Sequence, residues 1–259
     1  MAKLIELYAG FAGLSCYVLG ARPPVSRIGS KFGYAEAILD ESGFSKSDFE
    51  SILIVDSDER VTNLWSCLMI QGAIGLRAEL LMERGKEGWE YARTESPCSA
   101  ADHEAAAAFV VSVAGSRGGV GGWRGTHKHR PSVNGFSPSP ETIKKRLDRL
   151  SDLLGRMPRC SWTINRKAEE IPPTAFGTGN LVYIDPPYYG RTGYGKQERS
   201  DFVSVAESWR VAGNKVIVSY DSPVEIGQSW RHVDITSKRK GQKRVSLSKN
   251  NREWLTISS

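Results

Sequence analysis

Short apolar runs alternate with longer amphipathic stretches along the chain, and this alternation predicts its elements. Residues 3–9 (KLIELYA) are apolar until Gly10 interrupts them. That pattern predicts a buried strand, a glycine turn, and a helix from about Leu14 to Leu19. Pro23 and Pro24 cannot continue a helix, because proline has no backbone N–H to donate. Residues 34–43 carry a helical pattern closed by Gly43, and residues 51–55 (SILIV) predict a second buried strand with Asp56 directly behind it. One helix is predicted from Glu59 through Leu81. Residues 84–102 show no clear period, and the Ala-rich stretch 103–114 predicts another helix. A further helix is predicted over 141–154, after a Ser-Pro-Ser-Pro-Glu stop signal. Residues 180–184 (NLVYI) form a third apolar run, followed at once by Asp185. A helix near 200–212 and a strand at 215–219 (KVIVS) come next. The tail, 230–258, alternates like an antiparallel hairpin around a basic turn.

Buried strands alternating with helices predict an α/β fold, Rossmann-like, with a mostly parallel sheet and a C-terminal antiparallel hairpin. Ligands of such sheets bind beyond the carboxyl ends of the strands. Gly10, Asp56 and Asp185 each lie just past such an end, so they are expected to line one cleft. Residues 115–140 are rich in Gly, Ser and Pro and hold almost no aliphatics, which predicts a surface loop or small insertion. The expected division is a catalytic domain from 1–83 and 141–259, with 84–140 as an insertion that reads a target.

Composition narrows the class. A length of 259 residues suits one large domain. The chain has no apolar run near the roughly 20 residues of a membrane span, and MAKLIELYAG lacks the pattern of a secretory signal. Cys16, Cys67, Cys98 and Cys160 are widely spread, with no paired-cysteine motif. This argues against structural zinc and a disulfide framework and points to a reducing cytoplasm. His103, His127, His129 and His232 form no metal pattern. The net charge of +6 (35 Lys+Arg less 29 Asp+Glu) acquires meaning from its placement. Arg117, Arg124, Lys128 and Arg130 fall in one stretch without an acid; Lys238, Arg239, Lys240, Lys243 and Arg244 fall in another. Both are candidate phosphate contacts, or simply solvated loops.

The sharpest motif is Asp185-Pro186-Pro187-Tyr188, behind the strand NLVYI. By background composition such a string arises by chance in roughly one chain in a thousand of this size. Its chemistry suits a base amine, whose lone pair is delocalised into the ring. Asp185 can accept one hydrogen bond from that amine. The carbonyl of Pro186, held in a stiff diproline loop that offers no N–H, can accept the other. Tyr188 can stack on the base, worth roughly 1–3 kcal/mol. The plainer reading of the motif is a rigid turn at a strand end.

Taken together, these segments resemble the S-adenosylmethionine-dependent adenine-N6 DNA methyltransferases related to the Dam enzymes, of phage and bacterial type. In that family the tetrapeptide is the catalytic motif. Glu6-Leu7-Tyr8-Ala9-Gly10-Phe11-Ala12-Gly13 is similar to its glycine loop for the cofactor's methionine part. Asp56-Ser57-Asp58, followed by Val61-Thr62-Asn63-Leu64-Trp65, matches its acid-then-helix segment, whose first acid holds the ribose hydroxyls. Asn165-Arg166-Lys167-Ala168, Lys215 to Ser222 and the basic hairpin also resemble its members. The likeness covers most of 3–83 and 143–258. It implies a catalytic set of Asp185, Pro186, Pro187 and Tyr188. It implies cofactor contacts from Tyr8, Ala9, Gly10, Phe11, Gly13, Lys31, Asp56 and Asn165. The implied partner is double-stranded DNA, with no membrane and no metal. Three positions depart from the family. Ala12 replaces a usual glycine, and Lys167 stands where an acid is common. Arg27-Ile28-Gly29-Ser30-Lys31-Phe32, similar to a segment that helps bind the cofactor's carboxylate, follows the glycine loop instead of preceding it.

Other chemistries remain open in the sequence. The same tetrapeptide serves RNA adenine-N6 and DNA cytosine-N4 methylation, and an inactive relative could bind DNA without reacting. Ser96-Pro97-Cys98-Ser99 resembles the nucleophile segment of cytosine-C5 enzymes. That mechanism needs an activated thiolate and a ring-protonating acid, and the accompanying Glu-Asn-Val segment is missing, so Cys98 reads as an ordinary loop cysteine.

Overall fold

The computed structural model describes residues 1–25, 30–99, 101–119, 121–125, 135–187, 199–240 and 252–259. Its first strand, β1 (Ala2–Leu7), lies between two parallel neighbours, β2 (Phe49–Asp56) and β4 (Leu181–Ile184). Outside β2 runs β3 (Trp162–Asn165), and outside β4 runs β5 (Lys215–Tyr220), both also parallel. The tail supplies β6 (Trp230–Asp234) and β7 (Trp254–Ser258), which pair antiparallel as the alternation predicts. However, β7 also pairs antiparallel with β5, so it sits inside β6 and not at the edge. The resulting order, β3-β2-β1-β4-β5-β7-β6, is the Rossmann-like arrangement of the class I methyltransferases, with its C-terminal antiparallel hairpin. The strand sequence reverses direction between β1 and β4, which makes that junction the switch point where such sheets bind ligands.

Two apolar layers cover the sheet. Leu4, Ile52, Ile54, Leu181, Ile217, Leu255 and Ile257 face one layer. It contains helices α1 (Gly13–Val18), α2 (Ala35–Ser42), α3 (Glu59–Met69), α4 (Ile74–Glu83), α5 (Lys86–Thr94), α6 (His103–Gly115) and α7 (Pro140–Gly155). Ile5, Leu7, Leu53, Val55, Val182, Ile184, Val216 and Val218 face the other layer, where α8 (Arg199–Val211) contributes Phe202, Val205, Ala206 and Trp209. Strands buried on both faces read as unbroken apolar runs, which is why they were legible.

Three local expectations change. The single helix expected over 59–81 is two helices. Gly72 N–H donates to the Cys67 carbonyl (2.8 Å) and Gln71 N–H to the Leu68 carbonyl (3.2 Å), a Schellman cap after Ile70. Gln71 occupies its left-handed position (φ 58°), where glycine is usual, so the stop carries no obvious signal. Second, residues 86–94 of the stretch without clear period form α5. It buries only Gly88, Trp89 and Ala92, too narrow a face to set a pattern. Third, the Gly-rich segment after α6 does bury apolar surface. Phe136 is fully enclosed, and Trp123 packs between it and Trp89, with ring centroids 5.3 Å apart on both sides.

The Phe136 ring should therefore hold this segment to the core. Phe136→Ala is expected to lose about 3–5 kcal/mol in urea unfolding; a loss below about 1 kcal/mol would show that the ring is not part of the cooperative core.

Candidate active site

The glycine loop after β1 is held from both sides. Tyr8, Gly10 and Ala12 all adopt positive φ (57°, 51° and 41°) within the five residues between β1 and α1. For tyrosine and alanine this conformation costs about 1–2 kcal/mol each, so surrounding contacts must impose it. Gly10 N–H donates to Asp56 Oδ2 (2.9 Å), and Trp65 Nε1–H donates to the Gly10 carbonyl (3.1 Å). Ala9 N–H reaches the Val55 carbonyl (3.2 Å), and Phe11 stacks on Phe109 (5.3 Å). Phe11 is thus a buried anchor of the loop. A Cβ built on Gly10 would meet no atom within 4 Å, so the loop opens onto space at that residue. At Gly13 the reverse holds. A Cβ there would lie 2.7 Å from the Phe32 backbone nitrogen, so only glycine lets the turn Lys31–Tyr34 pack against the start of α1.

Asp56 ends β2 beside this loop. Its Oδ1 accepts from Asp58 N–H (2.9 Å), while the N-cap of α3 is Asp58, which accepts from Arg60 N–H. The capping of α3 thus falls to Asp58, two residues beyond Asp56. Asn165 pairs with Asp56 across β2 and β3. Its amide nitrogen, turned to satisfy both acceptors, donates to the carbonyls of Asp56 and Ser57 at 3.3 Å each. Tyr8 O–H donates to Glu169 Oε1 (2.7 Å), which brings an acid to this wall two residues beyond Lys167. The open backbone at Gly10 and the half-exposed Asp56 carboxylate fit a ligand with a polar tail and a hydroxylated ring, as S-adenosylmethionine is.

Asp185 follows β4, and its N–H extends the ladder to the Leu7 carbonyl (3.4 Å). Pro186 is buried and Pro187 half-buried behind it; Tyr188 lies outside the described residues. Gly10, Asp56 and Asp185 thus stand at the ends of three adjacent strands, as one cleft requires. Lys31 also meets this group, but through Asp185: its Nζ lies 2.6 Å from Asp185 Oδ1 and 3.6 Å from Glu253 Oε1. Lys31 is 4% exposed, Glu253 8% and Asp185 26%, so the aspartate keeps the most access to a ligand.

Strand parity explains this gathering. On the face of the seven-helix layer, each central strand turns from apolar to polar near the same edge. Leu4 is followed by Glu6, Leu181 by Tyr183 and Asp185, and Ile217 by Ser219; antiparallel β7 reaches Leu255 from Glu253. Glu6, Ser219 and Glu253 are buried, Ser219 Oγ–H donates to Glu253 Oε1, and Glu6 Oε1 accepts from Ser15 N–H. Burial pushes the Glu6 carboxyl up to about 7, with the Asp185 charge adding to the rise. Burial also raises Asp185 above its ordinary value, and Lys31 opposes this without cancelling it. For Lys31, burial favours the neutral amine, but Asp185 and Glu253 outweigh it and hold the ammonium charged. Sequence reasoning missed Glu6 and Glu253 as members of the site. Their signal was an acid interrupting the apolar parity of a strand.

The basic residues divide. Arg117 is exposed, and Arg124 is half-buried with its guanidinium on the Ser116 carbonyl (3.2 Å). Lys128, Arg130, Lys243 and Arg244 lie outside the described residues. The local absence of acids around 238–240 does not survive folding: Lys238 pairs with Glu41 (2.8 Å) and Lys240 with Glu36, both from α2. Arg239 lies over the Tyr34 ring, 5.5 Å from its centroid. Cys98 donates its thiol to Asp102 Oδ2 (3.1 Å), which raises the thiol pKa, the opposite of an activated nucleophile. Among the described residues no cluster of potential metal ligands occurs, and no helix is long and apolar enough to cross a membrane.

Glu6 gives the fold a defined pH dependence. Its folded value near 7 exceeds the ordinary 4.5, so the folded chain keeps a proton that the unfolded chain releases between those values. Stability contributed by Glu6 is complete below the unfolded value and is lost as pH rises toward 7, by up to about 3 kcal/mol. Urea unfolding of Glu6→Gln is expected to show less loss between these limits than the unmodified chain. Parallel curves would mean that Glu6 is not buried as a neutral acid.

A scan against protein-family models finds no match for this chain, and a search of curated proteins finds none either. The strand order and the residues gathered at its switch point are consistent with methyl transfer from S-adenosylmethionine as a class of reaction.

Proposed function

We propose that the chain methylates the exocyclic amine of adenine in double-stranded DNA, as a member of the Dam-like group that its motifs resemble. The observation carrying this reading is the position of Asp185-Pro186-Pro187, directly behind β4 at the switch point and beside the glycine loop. Gly10, Gly13, Tyr8, Ala9, Phe11, Asp56 and Asn165 would hold the cofactor in this reading. When bound, it supplies a methyl group on a sulfonium, already activated for displacement. That methyl group would pass to the amine nitrogen, with the sulfur as leaving group taking the electrons of the broken S–C bond. Asp185 and the Pro186 carbonyl accept hydrogen bonds from the amine, localising the lone pair and stabilising the positive charge that grows on nitrogen. The raised basicity of Asp185 suits it to take the proton that nitrogen then sheds. The base must leave the duplex to reach this edge, at a cost of a few kcal/mol. Tyr188 would stack on it. We assign target reading to the segments of 84–140 that flank α6, since α6 itself shares the core with Leu4 and Ile54. Arg117, Arg124, Lys128, Arg130, Lys238, Arg239, Lys240, Lys243 and Arg244 are the proposed phosphate contacts.

Incubation with labelled S-adenosylmethionine and either duplex DNA or RNA, followed by nucleoside analysis, is expected to yield N6-methyladenine from DNA. Label in N4-methylcytosine or in RNA would redirect the reading, and no label would end it. Asp185→Ala should lower the rate by about a hundredfold or more while cofactor affinity changes little; full activity would sink the assigned role.

A further inference from the structure

The polar row holds three carboxylates, buried Glu6 and Glu253 and part-exposed Asp185, and Lys31 touches two of them. This arrangement raises an electrostatic difficulty for the proposed reaction. An Asp185–Lys31 pair alone is neutral, and an ammonium 2.6 Å from the accepting carboxylate opposes positive charge developing on a nearby nitrogen. Glu253 removes the difficulty. With it the trio carries one net negative charge, and Lys31 is shared between two carboxylates. Three further contacts fix this geometry. Ser219 donates to Glu253 from β5, the Lys31 turn is seated against Gly13, and Lys240 N–H donates to the Gly33 carbonyl (2.8 Å).

We propose that Lys31 and Glu253 are the positioning pair for Asp185: Lys31 keeps its carboxylate ionised and fixed in direction, and Glu253 holds Lys31 while leaving the trio negative toward the target amine. The proposal rests on the methyltransferase reading for its chemical purpose, but the pairing can be observed without activity. The other groups facing this trio are Glu6 from β1, the Tyr183 hydroxyl from β4, and Tyr34 with Arg239 beside it. Burial raises the cost of ionising Asp185 and Lys31 lowers it; by Coulomb's law a second carboxylate on the same ammonium, Glu253, works against Lys31. Removing Lys31 or Glu253 should therefore move the Asp185 titration in opposite directions, a signature that a merely structural role does not produce.

The test uses the full chain with carbon-13-labelled aspartate, so that the Asp185 carboxyl can be titrated by NMR and assigned by its loss in Asp185→Asn. The same variants are assayed for single-turnover DNA methylation across about pH 5 to 9, with cofactor affinity measured by calorimetry. Lys31→Met is expected to raise the Asp185 titration and the acidic limb of the rate profile by about one to three pH units, and Lys31→Arg to restore most of both. Glu253→Gln is expected to lower the Asp185 titration and to cut the rate at neutral pH about tenfold or more, with cofactor affinity within about twofold. It also tests the proposal should Lys31→Met fail to fold. An unmoved Asp185 titration overturns the proposal, as does Lys31→Met weakening cofactor binding with that titration unchanged; Lys31 would then serve the cofactor's carboxylate. If the unmodified chain methylates neither DNA nor RNA, the methyltransferase reading fails, and the opposite shifts alone decide whether the pairing stands.

Discussion

A carboxylate removed from water costs several kcal/mol unless it is paired or keeps its proton. The carboxyl edge of this sheet carries three such groups on one face, and its local structure answers each in turn. Glu6 is pushed toward its neutral form and takes an amide hydrogen bond from α1. Asp185 and Glu253 share Lys31. To bring that ammonium into place, the Lys31–Tyr34 turn must lie against the glycine loop, which is possible because Gly13 has no side chain to obstruct it. The conformation of the loop and the charges beneath it are thus one problem with one solution.

The sequence displayed the scaffold well because the central strands are buried on both faces and read as apolar blocks. Gly10, Asp56 and Asp185 stand behind three such blocks, so their convergence followed from parallel order alone. What escaped detection shares a physical cause. Local patterns do not reveal partners that arrive from distant parts of the chain. Gln71 ends a helix through backbone hydrogen bonds that no side chain advertises. Gly88 sits inside α5 because the Leu81 carbonyl passes where its side chain would stand, so a residue that weakens a helix in isolation is needed there. Glu253 belongs to the site only because β7 lies next to β5. Tyr188 and part of the basic loops fall outside the described residues, so those expectations rest on the sequence.

The basic turn shows how folding can change the meaning of a charge run. Along the chain, five of the seven residues 238–244 are cationic and none is acidic. In space, Glu41 meets both Lys238 and Arg231, and Glu36 meets Lys240. The turn also donates to Gly33 and lays Arg239 on Tyr34, so it braces the segment that carries Lys31. Exposed pairs of this kind contribute little to stability individually; their effect here is to fix where residues 238–240 sit.

The placement of β7 has a consequence for how the molecule assembles. β5 is an apolar strand, and until β7 docks, its outer rim presents unpaired N–H and C=O groups. The strand that covers this rim comes last in chain order, after the hairpin partner it must slip inside. A chain folding as it is synthesised therefore leaves the β5 rim open and aggregation-prone from the emergence of Tyr220 until β7 follows. Docking of β7 closes that rim and brings Glu253 to Lys31 in the same event, so the site gains its full charge balance only when the sheet is complete.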